Sequence, residues 1–166
     1  MLAHGTLVPA AGAVSTDIPG LPYTAIHTPA VFSDQTMLPP KEIGRYPVFV
    51  PKADDDGIAI AGVHQLAVAV PRATYTGWNP RAPGFGASAL YPLRGAVVPF
   101  APTEAARKAA NDPRPSIAAR YANEEAYVAA VRREAAREIA ERLLLPEDAE
   151  RGIEAARQGK LTKLGQ

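Results

Sequence analysis

The chain of 166 residues has no cysteine, two methionines, one tryptophan and three histidines, and its 18 Lys and Arg almost cancel its 17 Asp and Glu. Without cysteine there are no disulfides, no thiol nucleophile and no zinc site that needs a thiolate. A formal charge of +1 gives no long-range field for steering onto nucleic acid or an anionic membrane. Lys160-Leu161-Thr162-Lys163 is too small a basic patch for a nucleic-acid partner. No apolar run approaches the roughly 20 residues that span a bilayer. His4, His27 and His64 have no metal-ligand spacing, and no cofactor motif is read.

What the chain has in excess is proline, 17 residues in all, and fourteen of them fall within residues 1–102. The charges are divided the other way: residues 1–102 carry six Lys/Arg and six Asp/Glu, and 103–166 carry twelve and eleven. The boundary at Pro102-Thr103 separates an extended Pro/Gly-rich segment, 1–102, from a helical part, 103–166. As an isolated chain this is a mixed α+β architecture. From Met1 to Arg45 no period of two or of 3.6 is sustained, and six prolines break any ladder or helix. Leu7, Val8, Ile18, Leu21, Ile26, Val31 and Phe32 make the stretch too apolar for a solvated tail. It is read as a segment lying across a surface made by other parts of a protein. A β-hairpin is expected near 46–70, with Tyr46–Val50 as one strand, Asp54-Asp55-Asp56-Gly57 as the turn, and Ile58, Ile60 and Leu66–Val70 returning.

In the second part Thr103, Ser116 and Asn123 are in capping positions, with a helix expected over 103–110, a further turn to Tyr121, and a long helix from Glu124 to Leu145. Val128, Val131, Ala135, Ile139 and Leu143 form its apolar stripe; Glu134 with Arg137 and Glu138 with Arg142 are expected as ion pairs on the opposite face. Pro146 opens a last helix with Ala149, Ile153 and Ala156 inward, Gly159 ends it, and Lys160–Gln166 is expected as a tail.

Several motifs fail on context. Gly84-Phe85-Gly86-Ala87-Ser88-Ala89 has the glycine pattern of a dinucleotide turn, which works only between a strand and a helix; flanking prolines make a plain glycine loop the better reading. Gly86-Ala87-Ser88-Ala89-Leu90 lacks the last glycine of a nucleophile elbow, and no histidine follows His64. The Asp54–Gly57 run lacks the alternation and closing glutamate of a calcium loop. Thr74-Tyr75-Thr76-Gly77-Trp78-Asn79 survives. Its hydroxyls, indole N–H and amide suit either a cleft lining, with Tyr75, Thr76, Trp78 and Asn79 as the residues concerned, or an aromatic corner that fastens a loop.

At these residues the chain resembles a bacterial family of alpha/beta hydrolase domain-containing proteins, large and serine-esterase-like. The resemblance runs through Gly5-Thr6-Leu7-Val8, Tyr46-Pro47-Val48, Val50-Pro51-Lys52 with Asp54, Asp56 and Gly57, and Ala61-Gly62. Its most specific run is Val68-Ala69-Val70-Pro71-Arg72-Ala73-Thr74-Tyr75-Thr76-Gly77-Trp78-Asn79, followed by Pro99-Phe100, Asp112-Pro113-Arg114-Pro115-Ser116, Arg120-Tyr121 and Leu145–Ala149. Pro80, His4 and His64 depart from the family pattern. The resemblance implies the C-terminal portion of an α/β hydrolase whose nucleophile elbow and Gly-Thr-Gln-His-like histidine stretch would precede Met1; no catalytic residue is carried over. It also implies a partner, the rest of the hydrolase core, in cis or as a separate chain. The alternatives at this point are a stand-alone interaction module using the Val128–Leu143 stripe, or a non-functional gene remnant. Met1–Thr16 lacks the basic start of a secretory leader, and cytoplasm and periplasm both stay open.

Overall fold

A computed structural model describes residues 7–9, 29–33, 36–79, 81–82, 84–86, 89–91 and 93–161. Most of Met1–Arg45, including His4 and His27, together with Pro80, Ala87, Ser88 and the last five residues, lies outside that set.

Three antiparallel two-stranded sheets and five helices make up the described chain. The strands are β1 (Leu7–Pro9), β2 (Ala30–Phe32), β3 (Glu42–Arg45), β4 (Phe49–Pro51), β5 (Ala73–Thr76) and β6 (Ala96–Pro99). β1 pairs with β4, β2 with β3, and β5 with β6, the last in the register Ala73↔Pro99 to Thr76↔Ala96. The helices are α1 (Leu66–Ala69), α2 (Glu104–Ala109), α3 (Ile117–Arg120), α4 (Glu124–Ala140) and α5 (Pro146–Arg157).

The hairpin expected over 46–70 is reduced to its tip. Gly57 takes a positive φ of 76°, the Asp54 carboxylate accepts the amides of Asp56 and Ile58 at 3.0 and 2.9 Å, and one bridge joins Ala53 to Ala59. β4 instead finds its partner in β1. Leu66–Ala69 is a helical turn, not a strand. A short apolar run fits either state; here Ala69 N–H returns to the Gln65 carbonyl at 2.9 Å and Val70 N–H to that of Leu66 at 3.0 Å, closing a helical turn, and Leu66 and Val70 both enter the core.

α4 and α5 pack on each other, with α1 against α4 and β5. Their core comprises Leu66, Val70, Tyr127, Val131, Ala135, Ala149, Ile153, Ala156 and Leu161. Thr103, Ser116 and Asn123 cap α2, α3 and α4 as their positions predict, each side-chain oxygen accepting the amide three residues on at 3.2, 3.3 and 2.8 Å. Two expectations are corrected. α4 ends at Ala140 rather than Leu145, because Leu145 precedes a proline and is extended. Leu143 N–H bonds back to the Glu138 carbonyl at 2.8 Å and Arg142 N–H to that of Ile139 at 3.0 Å, a Schellman ending with Arg142 in the left-handed region at φ 60°. The expected tail likewise starts later, since Leu161 is buried in the core.

Candidate functional site

Burial decreases along β5. Ala73 and Thr74 are buried and Tyr75 and Thr76 half-buried. Thr74 Oγ1 donates to the Asp56 carbonyl and accepts from Arg114 Nη1 at 2.9 Å. Arg114 is nearly inaccessible. Its guanidinium also reaches the carbonyls of Val98 at 3.0 Å and Pro99 at 3.4 Å. The Asp112 carboxylate is bound through Nε at 2.9 Å and Nη2 at 2.6 Å. The Arg114 hydrogen bond holds the Asp112 carboxyl below the usual carboxylate range against the opposing effect of burial.

Arg120 pairs bidentately with the Asp56 carboxylate, Nη1 lying 2.8 Å from Oδ2. The guanidiniums of Arg114 and Arg120 both stack on the Phe100 ring, 5.1 and 4.1 Å from its centroid. On the far side of the ribbon, Arg72 grips Glu124 at the start of α4 with two bonds of 2.8 Å and lies over Tyr127 at 4.8 Å. Tyr121 meets Tyr127 edge-to-face and donates to the Pro71 carbonyl at 2.9 Å. The pieces of the family resemblance, Asp56, Arg72, Thr74, Phe100, Asp112, Arg114, Arg120 and Tyr121, thus meet around one strand pair. Their charged groups are engaged with each other, so the arrangement fixes β5 and β6 against α3 and α4.

The loop that follows β5 carries the expected cleft residues. Thr76 Oγ1 donates to the Trp78 carbonyl and accepts the Ala96 amide at 3.2 Å, and the Asn79 carbonyl accepts Tyr91 N–H at 2.7 Å. Trp78 and Asn79 are half-buried. Tyr75 turns away from them toward Tyr121; its hydroxyl is buried without a hydrogen-bond partner among the described residues, and burial pushes it up to about 12. The Thr76 hydroxyl is thus tied to the Trp78 backbone and the Asn79 backbone to Tyr91, while the Tyr75 hydroxyl takes no part in these bonds. Gly84 and Gly86, at φ 88° and 82°, make a turn within the β5–β6 connection. Among the described residues no helix follows them there.

Two clefts stand out among the described residues, and the four expected residues line neither. The larger, about 660 Å³, lies beside Arg72, Val97, Tyr127 and Arg157. The other, about 340 Å³, opens between the segment before α1, the α4–α5 turn and α5, with Glu138 in its lining. Glu138 is 3% exposed. The expected Glu138–Arg142 ion pair is absent, because Arg142 lies beyond the helix end and Glu138, three residues after Ala135 and seven after Val131, falls on the buried stripe. That spacing was the signal in the sequence for a buried carboxylate. Glu134 and Arg137 do pair, at 2.5 Å. Among the described residues no set of His, Asp and Glu side chains converges as a metal site, and no helix is long and apolar enough to cross a membrane.

Residues 14–154 match the family model described as Alpha/beta hydrolase domain. No curated protein and no solved structure matches the chain significantly. The family match takes in most of the chain, and the chain belongs to the Alpha/beta hydrolase domain family.

Proposed function

We propose that this chain is the C-terminal structural and cleft-lining portion of a serine-esterase-like α/β hydrolase, with the nucleophile and base supplied by the rest of the hydrolase core. The observation that carries the reading is where apolar surface is left in water. Leu38 is 98% exposed, Leu93 79% and Phe85 73%, and among the described residues only Leu143 and Leu145 of the exposed large apolar residues lie beyond Pro102. So many large apolar side chains left in water on one half of the chain support an interaction face, and among the described residues β1–β4 and β2–β3 are each only two strands wide, with edges that a larger sheet or core would cover.

On this reading residues 1–102 wrap the core and 103–166 close its surface with helices, while the Thr76–Asn79 loop, held by the Thr76 hydroxyl between the Trp78 carbonyl and the Ala96 amide, borders the cleft. The whole enzyme would cleave esters by attack of a serine hydroxyl, with a histidine taking its proton and an oxyanion hole binding the tetrahedral intermediate. The alternative of a stand-alone module binding through the Val128–Leu143 stripe loses its surface, since Val131 and Ala135 pack inside the chain. The test is hydrolysis of p-nitrophenyl acetate by the purified chain. The expected result is no turnover above background; serine-dependent turnover abolished by Ser88→Ala overturns the reading. In the complete enzyme Trp78→Ala lowers turnover more than stability, and the reverse makes it a structural corner.

A further inference from the structure

The smaller cleft holds an unexplained charge. Glu138 Oε1 is buried and has no hydrogen-bond partner among the described residues. A carboxylate in that position loses its hydration without recovering it from protein donors, a cost of several kcal/mol for an ion. Burial, with the nearby charges of Glu134 and Glu141, raises its affinity for a proton, and Arg137 and His64 oppose this. Among the described residues none of the neighbouring cations is committed to it. Arg137 binds Glu134 and Glu141 on the exposed side of α4, and Arg151, across the cleft on α5, pairs with Asp148. His64 makes no hydrogen bond to the free oxygen.

The rest of the lining is mixed: His64, Gln65, Asp148 and Arg151 are polar or charged, and the remainder is apolar. Val63 and Leu143 stand at its exposed rim, with Leu66 and Leu144 further in. Gly152 forms part of the floor, and its missing side chain leaves room for Leu66, whose Cδ1 is only 2.7 Å from where a Cβ would sit. A volume of about 340 Å³ is at the small end of ligand pockets.

We propose that this cleft binds a primary ammonium group on an aliphatic chain, with the Glu138 carboxylate taking the ammonium and Leu66, Leu143 and Leu144 covering the methylenes. An ammonium supplies both what the free oxygen lacks, a hydrogen-bond donor and a positive charge, and its flexible stem matches the apolar wall. A neutral alcohol supplies only the donor. Free alkylamines and lysine side chains share this chemistry. The site is distinct from the proposed hydrolase role, because its residues lie in the segment before α1, on α1, α4, the α4–α5 turn and α5, and not on the strand pairs.

The experiment titrates n-hexylammonium into the full 166-residue chain near pH 8 by calorimetry, following the amide resonances of Leu66, Glu138 and Gly152. Saturable binding is expected with shifts confined to those elements. n-Hexanol and the Glu138→Gln variant are each expected to bind at least about tenfold more weakly, equivalent to about 1.4 kcal/mol. Binding also weakens as pH falls and Glu138 takes up a proton; should Glu138→Gln fail to fold, this pH dependence and the hexanol comparison decide the matter in the native chain. A lysine peptide blocked at both ends separates the sources. Tighter binding of the peptide assigns the site to a protein partner, and tighter binding of the amine assigns it to a small molecule. Equal affinity for hexylammonium and hexanol, unchanged affinity in Glu138→Gln, or no saturation overturns the proposal.

Discussion

Replacing Arg114 with methionine keeps most of the side chain's volume and removes the guanidinium from a site where five side-chain hydrogen bonds leave it for Thr74, Val98, Pro99 and Asp112. The larger consequence falls on what stays behind. Asp112 is 4% exposed, and without Arg114 its carboxylate keeps only the backbone N–H of residue 114 at 2.9 Å. Leaving one partner of a buried ion pair costs about 3–5 kcal/mol, a large share of the ~5–15 kcal/mol that holds a typical domain together. The sign of the pH dependence identifies the cause. In the native chain Asp112 is held below its unfolded-state value of about 3.9. Its contribution is therefore fully present above that value and is lost as pH falls through the lower folded one. In Arg114→Met the uncompensated carboxylate has a folded value above 3.9, so the penalty is greatest at neutral pH and shrinks on acidification. Urea unfolding followed by far-UV circular dichroism, from about pH 8 to about pH 3, gives the variant-minus-native difference directly. The expected deficit is about 3–5 kcal/mol at neutral pH, narrowing toward pH 3, with a large part restored when Asp112→Leu is added. A deficit under about 1 kcal/mol, typical of an exposed pair, or one that does not change with pH, refutes the reasoning.

A Cβ at Gly95 would lie 1.9 Å from the Thr76 carbonyl oxygen. Gly95→Ala is thus expected to cost about 1–3 kcal/mol in the same assay, whereas Gly44→Ala, with nothing within 4 Å, stays within about 0.5 kcal/mol. Arg142 holds the left-handed position that ends α4 at φ 60°, so Arg142→Gly should raise stability by up to about 1 kcal/mol and Arg142→Val lower it by a similar amount. Tyr75→Phe removes a buried hydroxyl that has no partner among the described residues and is expected to leave stability unchanged or higher. Absorbance titration of the phenols should show Tyr75 and Tyr127, both pushed up to about 12 by burial, ionising last; loss of a late phase in Tyr75→Phe checks the assignment.

The helical half was legible because its signals are local. Thr103, Ser116 and Asn123 each bind an amide three residues away, so the residue type and its place before an apolar period determine the cap whatever the rest of the chain does. The strand half was not, because its pairings are not local. β4 joins β1 across forty residues of chain rather than the segment after its own turn, and nothing within 46–70 distinguishes those outcomes. The Arg114 network is the extreme case. Thr74 reaches Asp56 across 18 positions, Arg114 reaches Thr74 across 40, and Arg120 reaches Asp56 across 64. No period or spacing rule connects them, and the sequence marks them only through the family resemblance.

Glu138 shows a different kind of failure, in which two local rules conflicted and the weaker one was applied. Spacing of four residues places Glu138 beside Arg142 only if the helix continues that far. Pro146, by forcing Leu145 out of the helical region, already sets a limit on α4, and the end falls at Ala140. The stripe running Tyr127, Val131, Ala135, Glu138 needs no continuation beyond the helix and puts the carboxylate inward. An exposed i,i+4 pair contributes only about 0.3–0.5 kcal/mol, too little to turn a helix face outward against the burial of Val131 and Ala135, each worth several times that. Packing of the apolar stripe therefore decides the rotation of α4, and a charged residue that falls on that stripe is carried into the core with it.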